Sequence, residues 1–280
     1  PKHEEGMGRV LAPPRDHTTR GRRLAGHLNF PRRVATAYYK AAVWRLFNSC
    51  ANAVEGSVLA SGINAPINIL KADGGTIPRE SARNLPVESI LSGPAASVMG
   101  AIALCDIRDD AIVLDVGGTT TDIAVFADAS PIIEEDGARF AHHYTLVRAI
   151  KGVSVGIGGD SAISISRDPQ SGTNYVTVGP ERLGPCMALG GKHPTLMDAF
   201  NTIHASGLGD VEASKRGLAA LAARFQMSAD LLAREAIEYA ALQLTLAVDR
   251  LLMDINSRPV YTIREVMERR KVDPSQVFII

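Results

Sequence analysis

Covalent cross-linking has almost no raw material in this sequence. Its 280 residues hold three cysteines, Cys50, Cys105 and Cys186, far apart and without a CxxC pair. So sparse and odd a set argues against a disulfide scaffold and fits a reducing compartment, so a cytoplasmic location is expected. Long apolar runs are missing too. No uninterrupted stretch reaches about 18 residues, which argues against a membrane-spanning helix, and the polar, charged start is not a signal peptide. A charge of one sign is also lacking: 30 Lys and Arg balance 30 Asp and Glu. Neutrality gives no reason to expect nucleic acid or an anionic membrane as partner. No internal repeat or low-complexity tract interrupts the chain. Walker-type GxxxxGK[ST] and GxGxxG-plus-helix loops are absent as well.

What remains is 46% hydrophobic, enough for one large domain or two smaller ones. Residues 1–33 form a basic segment with eight Lys or Arg (Lys2, Arg9, Arg15, Arg20, Arg22, Arg23, Arg32, Arg33) against Glu4, Glu5 and Asp16. A helix is predicted from about Arg32 to Leu59, with Ala37, Ala41, Trp44, Ala51, Val54 and Val58 as its buried stripe. "INILKAD" reads as a short strand, and "SGPAASVMGAIAL" as a helix with Ser92 as N-cap and Pro94 in the first turn. "AIVLDVGG", "TTDIAVFA" and "SPIIEEDG" read as three successive strands. "GVSVGIGGDSAISIS" reads as two strands or a strand and a helix start, and "YVTVGP" as a further strand. "HPTLMDAFNTIHA", residues 228–253 and "TIREVMERRK" are predicted helices. The first residue is Pro, and the closing "QVFII" reads as a buried strand that stops abruptly, so a piece of a longer chain is expected. Alternating strands and helices predict α/β layers.

One stretch asks for chemistry. "VLDVGGTTTDIAVF" places Gly117, Gly118, Thr119, Thr120 and Thr121 between two apolar strands, bracketed by Asp115 and Asp122. A plain hairpin needs only two permissive turn residues. Nucleotide phosphates need close backbone N–H donors, hydroxyls and Mg²⁺. Glycines allow that close approach, and Mg²⁺ favours one or two carboxylates plus water. Asp115 is therefore the candidate metal- or water-orienting carboxylate, with Asp122 pointing to the opposite side from Thr121. His142–His143 were weighed as metal ligands, but neighbours on a strand face opposite ways. His193 with Asp198, and Cys186 as a nucleophile, were also weighed; Ser161 in "GDSA" is not a GxSxG elbow.

"LDVGGTTTDIAVF" resembles the phosphate-binding hairpin of the actin, heat-shock-protein and sugar-kinase ATPase superfamily. More narrowly, the chain resembles the hydantoinase A/5-oxoprolinase family over roughly Arg20 to its end. The carrying segments, in family order, are "ILSGPAASVMGA", "LDVGGTTTDIA", "GIGGDSAIS", "VGPERLGP" and "GGKHPTLMDA". The resemblance implies an α/β, RNase H-like lobe with a mixed sheet and flanking helices. It implies a phosphate and Mg²⁺ site at Asp115, Gly117, Gly118, Thr119, Thr120, Thr121 and Asp122. Gly158, Gly159, Asp160 and Ser161 are similar to the element beside the nucleotide, and Ser92, Gly93 and Pro94 to a turn whose helix links two lobes. It further implies ATP-dependent opening of a cyclic amide such as 5-oxoproline or a hydantoin, and a possible second subunit. A small-molecule kinase, or a non-enzymatic nucleotide-binding subunit or assembly factor, stays open beside this. Residues 34–88 would close the first lobe and 89–280 form the second. The chain departs from the family in three places. It shows one phosphate hairpin, mid-chain. It ends before a Gly-Gly adenosine segment. It reads "GPERLGP" where many members read "GPESAGA". Little or no activity is expected of residues 1–280 alone.

Overall fold

The computed structural model describes residues 29–140, 142–204, 207–263, 266–267 and 271–280. Most of the basic segment, residues 1–28, lies outside them. The described chain forms two compact units, each assembled from discontinuous stretches.

The first unit comprises the described residues of Pro1–Asp110, Phe126–Lys151 and Val260–Arg269. It opens on helix α1 (Phe30–Ala60), close to its predicted bounds. Asn29 caps it by accepting from Arg32 N at 3.1 Å, and Pro31 occupies the first turn, where a missing N–H is harmless. Ala37, Ala41 and Ala51 are buried as expected, whereas Val54 is exposed. β1 (Asn68–Leu70) is the anticipated short strand, paired antiparallel with β2 (Thr76–Pro78). Helix α2 (Arg79–Asn84) follows. α3 (Ser92–Leu104) begins one residue off expectation: Leu91, left-handed at φ 65°, takes the cap position, no side chain caps the end, and Ser92 is the first helical residue. Tyr39 donates to Phe140 O at 2.8 Å and its ring meets that of Phe140 edge-on, joining α1 to a small core of Ala72, Val87, Ala138, Phe140, Val147 and Ala149. His142 sits at φ 73° just before the short β7 (His143–Tyr144), which pairs with β6 (Arg139–Phe140).

The second unit comprises Ala111–Val125, Gly152–Pro259 and the described residues of Arg270–Ile280. Its sheet is mixed. β3 (Ala111–Val116) runs parallel to the last strand, here β13 (Gln276–Ile279), and neighbours β4 (Thr121–Ala127). The four-residue connection from β3 to β4 requires an antiparallel hairpin. β8 (Gly152–Val155) pairs antiparallel with β4 from Thr121 to Ala124. The last two residues of β4, Phe126–Ala127, belong to the first unit and pair there with β5 (Ser130–Pro131). The closing strand is half-exposed instead of buried: it lies at the end of the strand order, and Val277 and Ile279 face outward.

β9 (Ile163–Arg167) and β10 (Asn174–Val178), the latter the expected "YVTVGP" strand, form a hairpin, and β8 with β9 resolves the glycine-rich stretch as two strands. Helices α4 (Leu196–His204), α5 (Val211–Ala223) and α6 (Ala229–Asn256) pack with it. Ser228 caps α6 by accepting from Leu231 N at 3.1 Å, and Met227 packs into the core that holds Leu232. "TIREVMERRK" is not a helix where described. Val266–Met267 are strand β12, paired with β11 (Val260–Tyr261), and the rest of the stretch falls largely outside the described residues.

Leu232 is fully buried among Leu218, Ala222 and Ala236, while Leu242 on the same helix is 55% exposed. Leu232→Ala should cost about 2–5 kcal/mol of stability, and Leu242→Ala within about 0.5 kcal/mol. Urea unfolding of the two variants beside wild type checks the contrast.

Candidate functional site

The β3–β4 turn consists of Gly117, Gly118, Thr119 and Thr120, closed by Gly117 N donating to Thr120 O at 2.9 Å. Asp115 and Asp122 are half-buried at the two ends of this hairpin, while Gly117, Gly118 and Thr119 are exposed. Thr121 alternates inward. It is fully buried, and its hydroxyl donates to Ile157 O at 2.8 Å. Of the three hydroxyls in the run, Thr119 and Thr120 are therefore open to a ligand, and Thr121 is a fastening.

What Thr121 fastens is the other element expected beside a nucleotide. The loop Gly158–Ser161 lies directly against the turn, with Gly159 N donating to Gly117 O at 3.0 Å and Asp160 N to Gly118 O at 2.7 Å. The approach is possible only without side chains. A Cβ on Gly158 would stand 2.5 Å from Gly117 O and 2.6 Å from Gly118 C. Ser161 is buried, and its hydroxyl accepts from Gly158 N at 2.9 Å. So the N–H groups of Gly159 and Asp160 are committed to holding the hairpin and that of Gly158 to Ser161, and the loop's outward chemistry is the Asp160 carboxylate. By contrast, no backbone carbonyl of the described residues accepts from the N–H groups of Gly118, Thr119 or Thr120.

The loop is itself seated on α4. Leu196 N and Met197 N, unpaired donors of a first helical turn, reach Ser161 O at 3.0 Å and Gly159 O at 2.9 Å. Arg182, which the sequence reading did not single out, pairs with Asp160 through Nε at 3.1 Å and Nη2 at 2.7 Å. Its only sequence signal is its place in "GPERLGP", where the chain leaves the family pattern.

The other candidates fall away from this chemistry. Asp198 is fully buried and accepts from Met187 N, Ala188 N, Thr195 N, Thr195 Oγ1 and Ser214 Oγ at 2.6–3.2 Å. A carboxylate so surrounded is structural, and His193 is exposed apart from it. Cys186 is buried, and burial pushes its thiol up, away from a nucleophilic thiolate. Among the described residues, no three or more His, Cys, Asp or Glu gather as a metal cage. A Mg²⁺ near Asp115 would have to share its coordination with phosphate and water, which is how Mg²⁺ ordinarily binds. No described helix is long and apolar enough to cross a membrane.

The chain has relatives. The family model for hydantoinase/oxoprolinase matches residues 33–280. An acetone carboxylase, solved without nucleotide in work on ATP-dependent acetone carboxylation, superposes with a TM-score of 0.59 at 20% identity, over 82% of this chain and 32% of its own. An ATP-dependent caprolactamase from Pseudomonas jessenii superposes with a TM-score of 0.62 at 23% identity, over 90% of this chain and 38% of its own. The likeness shows a shared fold, and the chain spans less than two-fifths of either neighbour. No curated protein matches.

Contact between the loop and the turn makes Gly158 a sensitive position. Gly158→Ala should force the two apart and lower stability by about 1–3 kcal/mol, measured by urea unfolding. A variant as stable as wild type would contradict the packing.

Proposed function

This chain belongs to the hydantoinase/oxoprolinase family, and on that premise we propose that it holds the phosphates in ATP-dependent opening of a cyclic amide such as 5-oxoproline or a hydantoin. The carrying observation is the hairpin tip, where the N–H groups of Gly118, Thr119 and Thr120 lie unclaimed by any described carbonyl between two half-buried aspartates. Such a tip suits phosphate oxygens. Both solved neighbours are named for ATP-dependent conversions, one of acetone and one of caprolactam. Each of those compounds offers a carbonyl oxygen to activate.

In this reading the tip N–H groups and the Thr119 and Thr120 hydroxyls hold phosphate, and Asp115 orients Mg²⁺ through water. Mg²⁺, when bound, supplies charge neutralisation. Thr121, Gly158, Gly159 and Ser161 keep the tip rigid. Asp122, half-buried across the turn, is the second carboxylate available for orienting a reacting group. The γ-phosphoryl group passes to the amide oxygen and ADP leaves. Water then adds to the ring carbon and the C–N bond breaks to leave an acyl phosphate, from which a second water releases phosphate and the opened acid. The protein's part is mainly positioning and charge stabilisation. In the proposed lobe division, residues 89–280 carry this hairpin and 34–88 finish a first lobe.

Calorimetric titration of MgATP into the intact protein, wild type beside Asp115→Ala, tests the site. Affinity should fall at least about tenfold, the loss of one charge-assisted contact. Unchanged binding in a folded variant would remove the hairpin from the phosphates. Incubation with cyclic amides should then release phosphate together with the ring-opened acid. A stable phosphorylated product would instead mark a kinase.

A further inference from the structure

Asp160 sets an electrostatic problem at the proposed phosphate site. A Cβ on Gly118 would stand 3.2 Å from its Oδ2, and the Asp160 side chain is only 20% exposed. Phosphate held on the neighbouring N–H groups would share the turn with this carboxylate, and like charges repel. Arg182 answers that charge. Two of its N–H groups point to the same Asp160 oxygen, at 3.1 and 2.7 Å. A guanidinium carries five donors, so three are not used in this pair, and the side chain is 48% exposed. The segment bearing it is firmly mounted. Ala162 N donates to Glu181 O at 2.9 Å and Gly179 N to Ala162 O at 3.0 Å, and a Cβ on Gly156 would stand 2.8 Å from the Pro180 ring.

We propose that Arg182 is a phosphate-binding residue, resting on the reading of the hairpin as a nucleotide site. It neutralises Asp160 beside Gly118 and donates its remaining N–H groups to the phosphate held at the turn. Arginine suits this double duty because its planar fork can serve a carboxylate and a phosphate together, which a lysine point charge cannot.

The test is calorimetric titration of MgATP into the intact protein as wild type, Arg182→Gln, Arg182→Lys, Asp160→Asn and the Asp160→Asn/Arg182→Gln pair, with folding followed by circular dichroism. Arg182→Gln should weaken binding about 10- to 100-fold, as expected for a hydrogen bond to a charged group. Arg182→Lys, which keeps the charge against Asp160 and so guards the fold, should recover only part of that. The double variant should stay weak, since removing the carboxylate restores no donor. Binding at wild-type strength in Arg182→Gln or Arg182→Lys would overturn the inference. So would return of the double variant to wild-type affinity, because Arg182 would then be only the counter-ion of Asp160. Wild-type protein that binds no MgATP would overturn the hairpin reading itself, and this inference with it.

Discussion

Two backbone hydrogen bonds organise the site: Gly159 N to Gly117 O, and Asp160 N to Gly118 O. Their consequence follows from the trans peptide. In a planar trans amide the carbonyl and the N–H of the next residue point in opposite directions. Turning Gly117 O toward the loop therefore turns Gly118 N–H away from it, and turning Gly118 O inward turns Thr119 N–H outward. The loop's backbone thus leaves the hairpin's donors facing out without touching them, while the Asp160 side chain lies beside Gly118. Because carbonyl and donor belong to one rigid unit, the tip is preorganised by contacts on its far side.

That arrangement reaches down into the core by way of Asp198. The loop rests on the first turn of α4 through Ser161 O and Gly159 O, and Asp198 lies in that same turn. Its carboxylate gathers donors from Met187, Ala188 and Thr195 and from Ser214 on α5. A buried charge is tolerable when hydrogen bonds surround it, and here five do so. Removing the carboxylate would strand donors in the interior and loosen the helix start that carries the loop. The residue is tied to function through position, with no role in the chemistry.

Much of this was legible in advance, for physical reasons. The β3–β4 hairpin and the glycine loop are local patterns whose residue types have few other uses, and α1 follows from a regular stripe with a Pro-bearing start. Helix α5 was not foreseen. "VEASKRGLAALAA" has a glycine in its middle, and Gly217 packs against Met187, whose Sδ would stand 2.0 Å from a Cβ there, a contact across sequence that composition does not reveal. "TIREVMERRK" has helical spacing, yet Val266–Met267 pair as a strand with Val260–Tyr261, so a tertiary partner overrode the local preference. Asp198 was weighed with His193 because sequence shows a carboxylate but not its donors. Arg182 was missed for the converse reason. It is 22 residues from Asp160, and only the mounting of Glu181 on Ala162 brings the two together.

On the proposed reading, the strand register lets a turn serve as a helix N-terminus does in other phosphate sites. β3 is held on one side by β13, with Ile280 N donating to Leu114 O and Val116 N to Ile280 O, both at 3.0 Å. β4 is held from Thr121 onward by β8. Both stems of the hairpin are thus fixed up to its last ordered pairs, and the Gly158–Ser161 loop holds the turn between them. Asp115 stands on the stem, one residue before Val116. Its carboxylate and the donors at the tip therefore move as one piece. A metal oriented by the stem and a phosphate held by the tip would keep a constant separation, which in-line phosphoryl transfer requires of its positioning groups.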